Sequence, residues 1–185
     1  MSVRRAGLVF MAAVTAVMPL ASLILSLPRG TRNLASPDGR WVLYGVPHQQ
    51  STSHTPELWI ENLRTHRRHK VQDIPDTLRA GWFPDSARFW VEDHSASDRT
   101  QAYIYNPETL ARLDVRKAVL DSDASASAFD RGHRYYNVAS AAAQTLLIDF
   151  RGHTDEPPVT CFDVRYRVTR AGVVSRLSRR VRPCR

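Results

Sequence analysis

The chain has 185 residues, of which 43% are hydrophobic and 24% charged, values that suit one globular domain and argue against disorder along the whole length. Its net charge of +8 comes from 26 Lys+Arg against 18 Asp+Glu, and nearly all of these cations are arginines. The excess has two interpretations. It reflects a GC-rich genome, or it attracts an anionic partner such as lipid headgroups, envelope polysaccharide or nucleic acid.

The N-terminus carries an uncharged, largely apolar run from Ala6 to Leu27, preceded by Arg4 and Arg5. A helix of about 20 apolar residues can span a bilayer, whereas the core of a signal peptide has about 7–15. We therefore predict a membrane anchor at residues 1–28, with a cleaved signal peptide as the alternative. Either way, residues 29–185 are expected to be exported and to face the periplasm or the cell exterior.

Two turn motifs rich in proline and aspartate each precede a short apolar run, and they stand about 45 residues apart. Proline fixes φ, aspartate bonds nearby backbone amides and glycine permits positive φ, so both motifs predict tight turns before strands. A second apolar run in each copy ends at an asparagine turn. The turn residues are Pro37, Asp38, Gly39 and Asn62 in the first copy, and Pro84, Asp85 and Asn106 in the second.

A weaker third copy begins at Asp130, and Asp149 is interpreted as its counterpart of the asparagine turns. The three repeats are predicted at about 33–75, 80–118 and 126–185. Short apolar runs separated by turns, at a period of about 40–50 residues, are typical of propeller blades.

These Pro-Asp turns, with the later Asn-x-x-Thr turns, resemble the WD40-like repeat of TolB-type β-propellers. The resemblance implies an all-β fold of three to four β-meander repeats. Closed propellers use at least four blades, more than residues 29–185 provide. We therefore expect an open assembly, or a partial propeller that another chain completes, with exposed sheet edges that invite a partner.

The last repeat contains both cysteines of the chain, Cys161 and Cys184. Apolar and polar residues alternate over 162–169, a turn follows at 170–172, and a second alternating run continues to Val181. A hairpin of this kind brings the cysteines together at its open end. We predict a disulfide in an oxidising compartment, with two free thiols as the alternative.

Two basic stretches are the candidate binding surfaces, each with a plain solvated surface as the alternative. The first contains Arg64, Arg67, Arg68 and Lys70, and the second contains Arg165, Arg167, Arg176, Arg179, Arg180 and Arg182. Several guanidinium groups on one face of a hairpin could bind carboxylates or phosphates.

Other polar clusters give weaker signals. The segment 92–98 is predicted to be an acidic loop without the spacing of a calcium site, and His66 and His69 are not expected to bind zinc. Trp41, Trp59, Trp82 and Trp90 are predicted to pack in the core.

No catalytic motif and no phosphate-binding loop is found, so no catalytic residue, metal or cofactor is predicted. The leading hypothesis is a non-catalytic envelope scaffold that binds another envelope protein through its β-repeats. The alternatives are an electrostatic binder of anionic lipid or polysaccharide and a small exported hydrolase. Nucleic acid is not expected as a partner, because export removes it.

Overall fold

The computed structural model describes residues 25–27, 33–47, 50, 55–74 and 76–184. The predicted N-terminal segment lies outside these residues except for Leu25–Leu27, whose backbone forms a short strand. Over the described part of the chain, no helix is long and apolar enough to cross a bilayer.

The described residues contain thirteen strands and two short helices, joined by turns and loops. The strands are β1 (Leu25–Leu27), β2 (Leu34–Ala35), β3 (Trp41–Val46), β4 (Glu57–Asn62), β5 (Arg68–Asp73), β6 (Thr77–Trp82), β7 (Phe89–Ala96), β8 (Arg99–Tyr105), β9 (Arg112–Asp114), β10 (His133–Ala141), β11 (Thr145–His153), β12 (Thr160–Thr169) and β13 (Val174–Pro183). An α-helix, α1 (Val115–Ser122), and a 3-10 helix (Ala124–Phe129) lie between β9 and β10.

The strands form three antiparallel meanders, which confirms the prediction of an all-β fold of meander repeats. The first meander is the sheet β2-β3-β4-β5. The second contains β6 to β9, with β1 paired to the free side of β6, and the third contains β10 to β13. A two-residue parallel pairing, Arg134 with Arg99 and Tyr135 with Thr100, joins the second meander to the third in one sheet.

The second meander has a hydrophobic core on each of its faces. One core joins it to the first meander and contains Leu43, Ile60 and Phe89. The other contains Trp90 together with α1, the 3-10 helix and the inner side chains of β10 to β12, such as Phe150. Because side chains alternate between the faces of a strand, each outer meander turns its remaining face away from these cores.

The turns of the first two repeats fold alike. The carboxylate of Asp38 accepts hydrogen bonds from Ser36 and Arg40, and Gly39 supplies the positive φ of 68° that a tight turn requires. Each asparagine turn is closed by its own side chain. Asn62 Oδ1 accepts from the backbone of residues 64 and 65, and Asn106 Oδ1 accepts from that of residues 108 and 109.

The third repeat departs from this pattern. Asp130 follows a 3-10 helix instead of a strand, and its carboxylate binds Arg116 and Tyr136. Asp149 lies inside β11, so its interpretation as a turn residue was wrong. The strands of this repeat are nine or ten residues long, so the turns fall at different positions from those of the shorter repeats.

The Asp38 turn predicts a pH dependence of stability. Partial burial raises the pKa of Asp38, but the hydrogen bonds from Ser36 and Arg40 outweigh it and lower the pKa from 3.8 to about 2. A lowered pKa stabilises the fold above pH 3.8, and that stabilisation is lost as the pH falls through about 2. The Asp38→Asn variant should therefore be less stable than the unmodified protein at pH 5.

Unfolding in urea at a series of pH values measures this effect. The difference between the two proteins should shrink steadily as the pH is lowered, because the unmodified carboxyl becomes neutral too. A difference that stays constant down to pH 2 would contradict the assignment to Asp38.

Candidate functional site

The antiparallel connections place different functional residues at the two ends of the meanders. One end, here called the turn end, holds the Pro-Asp and asparagine turns and the turn at 170–172. Contacts between repeats hold it together: the Asp38 amide donates to the Ser86 hydroxyl over 3.0 Å, and Arg170 pairs with Asp85 over 2.5 Å. The opposite end, here called the disulfide end, holds the 97–98 turn and the loop before β12.

The predicted disulfide between Cys161 and Cys184 is present at the disulfide end, with the two Cα atoms 5.0 Å apart. Cys161 lies near the start of β12 and is the register partner of His153 on β11. The bond therefore fastens the last residues of β13 to the start of β12, which lies beside the end of β11.

The second basic stretch does not form one surface, contrary to prediction. Strand register places Arg165, Arg167, Arg180 and Arg182 on the outward face of the third meander. Arg176 and Arg179 lie on the other face, toward the helical segment. This division follows from the alternation of β13 and from the register shift opposite residues 165 and 166.

Arg176 and Arg179 have structural contacts. Arg176 donates to Asp123 over 2.8 Å, and the guanidinium of Arg179 lies 5.1 Å from the centre of the Phe129 ring. Burial raises the pKa of Asp123, but hydrogen bonds from Ser125 and Tyr166 and the charge of Arg176 outweigh it and keep the pKa below its ordinary value. These arginines cover the edge of the core.

On the outward face, Arg165 forms an ion pair with Asp149 over 2.7 Å. Within the described residues, Arg167, Arg180 and Arg182 form no ion pair, and Asp163, the register partner of Arg180, pairs with Arg151 over 3.4 Å. Strand β13 also has a free edge in this part of the chain, because β12 pairs with it on one side only. Two apolar side chains of β13 are also exposed, Leu177 at the register shift and Val181 on the opposite face from Arg180 and Arg182.

The first basic stretch lies at the turn end. Arg68 pairs with Glu61 over 3.0 Å, and Lys70 pairs with Glu57 over 2.8 Å. Arg64 and Arg67 have no ion pair among the described residues. Arg67 lines an open cleft of about 450 Å³, whose other lining residues are Trp41, Asn62, Thr65, His69 and Glu108.

The segment predicted to be an acidic loop is mainly strand. Residues 92–96 belong to β7, and only residues 97 and 98 form the turn. Glu92 is completely buried and accepts hydrogen bonds from Arg79 over 2.9 Å and from the backbone amide of Val138 over 2.6 Å. It therefore joins the second meander to the third.

Glu92 also belongs to a row of polar side chains in the order used by acyl-transfer enzymes. His94 Nε2 lies 2.6 Å from the Glu92 carboxylate, and His94 Nδ1 lies 3.3 Å from the Thr100 hydroxyl. Thr100 is only 1% exposed, so this hydroxyl has no open path to a substrate. We interpret the row as a structural network.

The prediction that all four tryptophans pack in the core holds for three of them and is wrong for Trp59. Trp41, Trp82 and Trp90 are buried as predicted. Trp59 is half-buried on the outward face of the first meander, where its indole N–H donates to Glu57 over 2.8 Å.

Sequence reasoning missed one cluster at the disulfide end, formed by His133, His153 and Asp155. The two histidines are register partners at the first residue of β10 and the last residue of β11. They stand 20 positions apart in the sequence, and only the pairing of the two strands reveals that they are neighbours.

Comparisons with known proteins do not show a family. No family model and no curated protein matches the chain. The structure is similar to that of TolB from Acinetobacter baumannii, with a TM-score of 0.38 and 11% identity, over 77% of this chain and 41% of that one. So distant a likeness carries no argument about function, and the propeller itself stays a prediction.

Proposed function

We propose that the protein is a non-catalytic, extracytoplasmic binding protein that pairs an acidic, extended segment of another envelope protein with the free edge of β13. One observation carries the proposal: a ten-residue edge strand whose outward arginines, Arg180 and Arg182, form no ion pair in the described part of the chain. The disulfide supports an oxidising compartment outside the cytoplasm.

The edge offers the two kinds of contact that strand addition requires. Its backbone N–H and C=O groups can extend the sheet, and side chains alternate on either face of the added strand. Leu177 and Val181 are 44% and 42% exposed. An added strand would cover part of this apolar surface and remove it from water, which favours binding.

The charge of β13 selects the partner. Its sequence contains four arginines and no acidic residue. Two copies of this edge would repel each other, because like charges on facing strands are destabilising. An acidic segment would instead pair with Arg180 and Arg182, which project on the outward face.

A labelled peptide of alternating glutamate and valine tests the proposal with the full-length protein under non-reducing conditions. The peptide should bind, and the double variant Arg180→Glu with Arg182→Glu should lower its affinity at least about tenfold, since two attractions become repulsions. Amide hydrogen exchange in β13 should slow when the peptide is bound. Binding should weaken at high salt, because screening reduces exposed charge contacts.

The matched control is Arg64→Glu with Arg67→Glu, which reverses two cations at the turn end and should leave peptide binding unchanged. Equal loss in both double variants would contradict a site on β13. Binding of anionic lipid vesicles that depends on Arg64 and Arg67, without any peptide binding, would favour the electrostatic alternative and overturn the proposal.

A further inference from the structure

We propose that His133, His153 and Asp155 form a binding site for one Zn²⁺ ion at the disulfide end of the third meander. This site does not involve the β13 edge. The sequence predicts no metal, so the Zn²⁺ ion is a ligand that only the structure suggests. Two imidazoles and one carboxylate form a donor set that zinc accepts, with water completing the coordination.

The distances between donor atoms are close to those of a zinc site. A tetrahedron with zinc–ligand bonds of about 2.0–2.2 Å has ligand atoms roughly 3.3–3.6 Å apart. His133 Nδ1 lies 3.3 Å from Asp155 Oδ1, and His153 Nδ1 lies 3.8 Å from the same oxygen. All three donor atoms lie within 4.8 Å of one another. To share one ion, the two rings, which lie 26° from parallel, must turn so that both nitrogen lone pairs point toward the side of Asp155.

The backbone brings these side chains together. His133 and His153 face each other across paired strands, and their rings are stacked with centroids 4.4 Å apart. Gly152 allows this approach, because a Cβ atom there would stand 1.9 Å from the carbonyl oxygen of His133. Gly132, with a φ of 89°, likewise leaves room for the carboxylate of Asp155.

The surroundings suit an ion that stays open to solvent. The side chains of His133, His153 and Asp155 are 45%, 41% and 57% exposed, so water can reach the remaining positions. His153 Nδ1 also contacts the carbonyl oxygen of Thr154 over 3.3 Å, and metal binding would replace this long contact. The neighbouring Cys161 is held in the disulfide, so the donors are two nitrogens and one oxygen.

Isothermal titration of the chelator-treated, full-length protein with ZnCl₂, without reductant, tests the site. We expect one tight Zn²⁺ per chain. His153→Ala and Asp155→Asn should each weaken binding at least about tenfold, because even the hydrogen-bond partners of metal ligands change affinity by that much. Zn²⁺ should also raise the melting temperature of the unmodified protein but not that of His153→Ala.

His69→Ala is the matched control, since it removes an exposed histidine at the turn end and should leave the tight site intact. Substituting Co²⁺ gives a second readout, in which the visible absorption of nitrogen- and oxygen-bound cobalt should require His133 and His153. Failure to bind Zn²⁺, or equal affinity in the His133→Ala/His153→Ala double variant, would overturn the proposal. In that case the cluster would be a histidine–carboxylate ion pair only.

Discussion

Replacing Glu92 with alanine should destabilise the protein by about 3–5 kcal/mol, the cost typical of removing one partner from a buried ion pair. Glu92 is completely buried, and its carboxylate accepts from Arg79, His94 and the Val138 amide. The variant leaves a guanidinium that is only 26% exposed, and a backbone N–H, without their acceptor.

The position of Glu92 makes this effect larger than the loss of one local contact. The bond to Val138 joins residues 46 positions apart and links β7 to β10. Residue 138 also borders the bulge of β10, where the register with β11 shifts. We therefore expect faster amide exchange in β10 as well as a lower free energy of unfolding.

Urea unfolding followed by circular dichroism measures the loss. Asp121→Ala is the matched control, because it removes a carboxylate from an exposed pair with Lys117 and should cost less than about 1 kcal/mol. If Glu92→Ala costs no more than this control, the network does not hold the second and third meanders together. A double-mutant cycle with Arg79 would separate the contribution of the pair from that of the Val138 amide.

Removal of the disulfide should cost about 3 kcal/mol. Cys161 and Cys184 close a loop with a sequence separation of 23, and a loop of this length restricts the unfolded chain by roughly that amount. In the folded protein, β13 is an edge strand that only β12 holds in place among the described strands. Its C-terminal residues should therefore loosen first when the bond is lost.

The double variant Cys161→Ser with Cys184→Ser tests this expectation. Its free energy of unfolding should fall, and amide exchange should accelerate at residues 180–182 while the centre of β11 remains protected. Adding a reductant should destabilise the unmodified protein to a similar extent and leave the double variant unchanged. Equal stability of the two proteins without reductant would show that strand pairing alone fixes β13.

The sequence by itself determined the features that depend on neighbouring residues. Asp38 and Asn62 bond to backbone amides two or three positions away, so their turns are encoded locally and repeat along the chain. Alternation of apolar and polar residues likewise predicted the strands of the last hairpin. That hairpin in turn brings Cys161 next to Cys184.

Only the tertiary structure decided which polar residues form sites. Arg176 and Arg180 are four positions apart, so simple alternation predicts the same face for both, but the register shift in β13 lies between them, and Arg176 binds Asp123 while Arg180 points outward. Glu92 was interpreted as a loop residue because it lies in a polar segment. Its buried role depends on the amide of Val138, which is 46 positions away, so the sequence alone does not reveal it. His133 and His153 became neighbours through the register of β10 and β11. Register depends on packing across the whole sheet, and a shift of one residue would place each of these side chains on the other face.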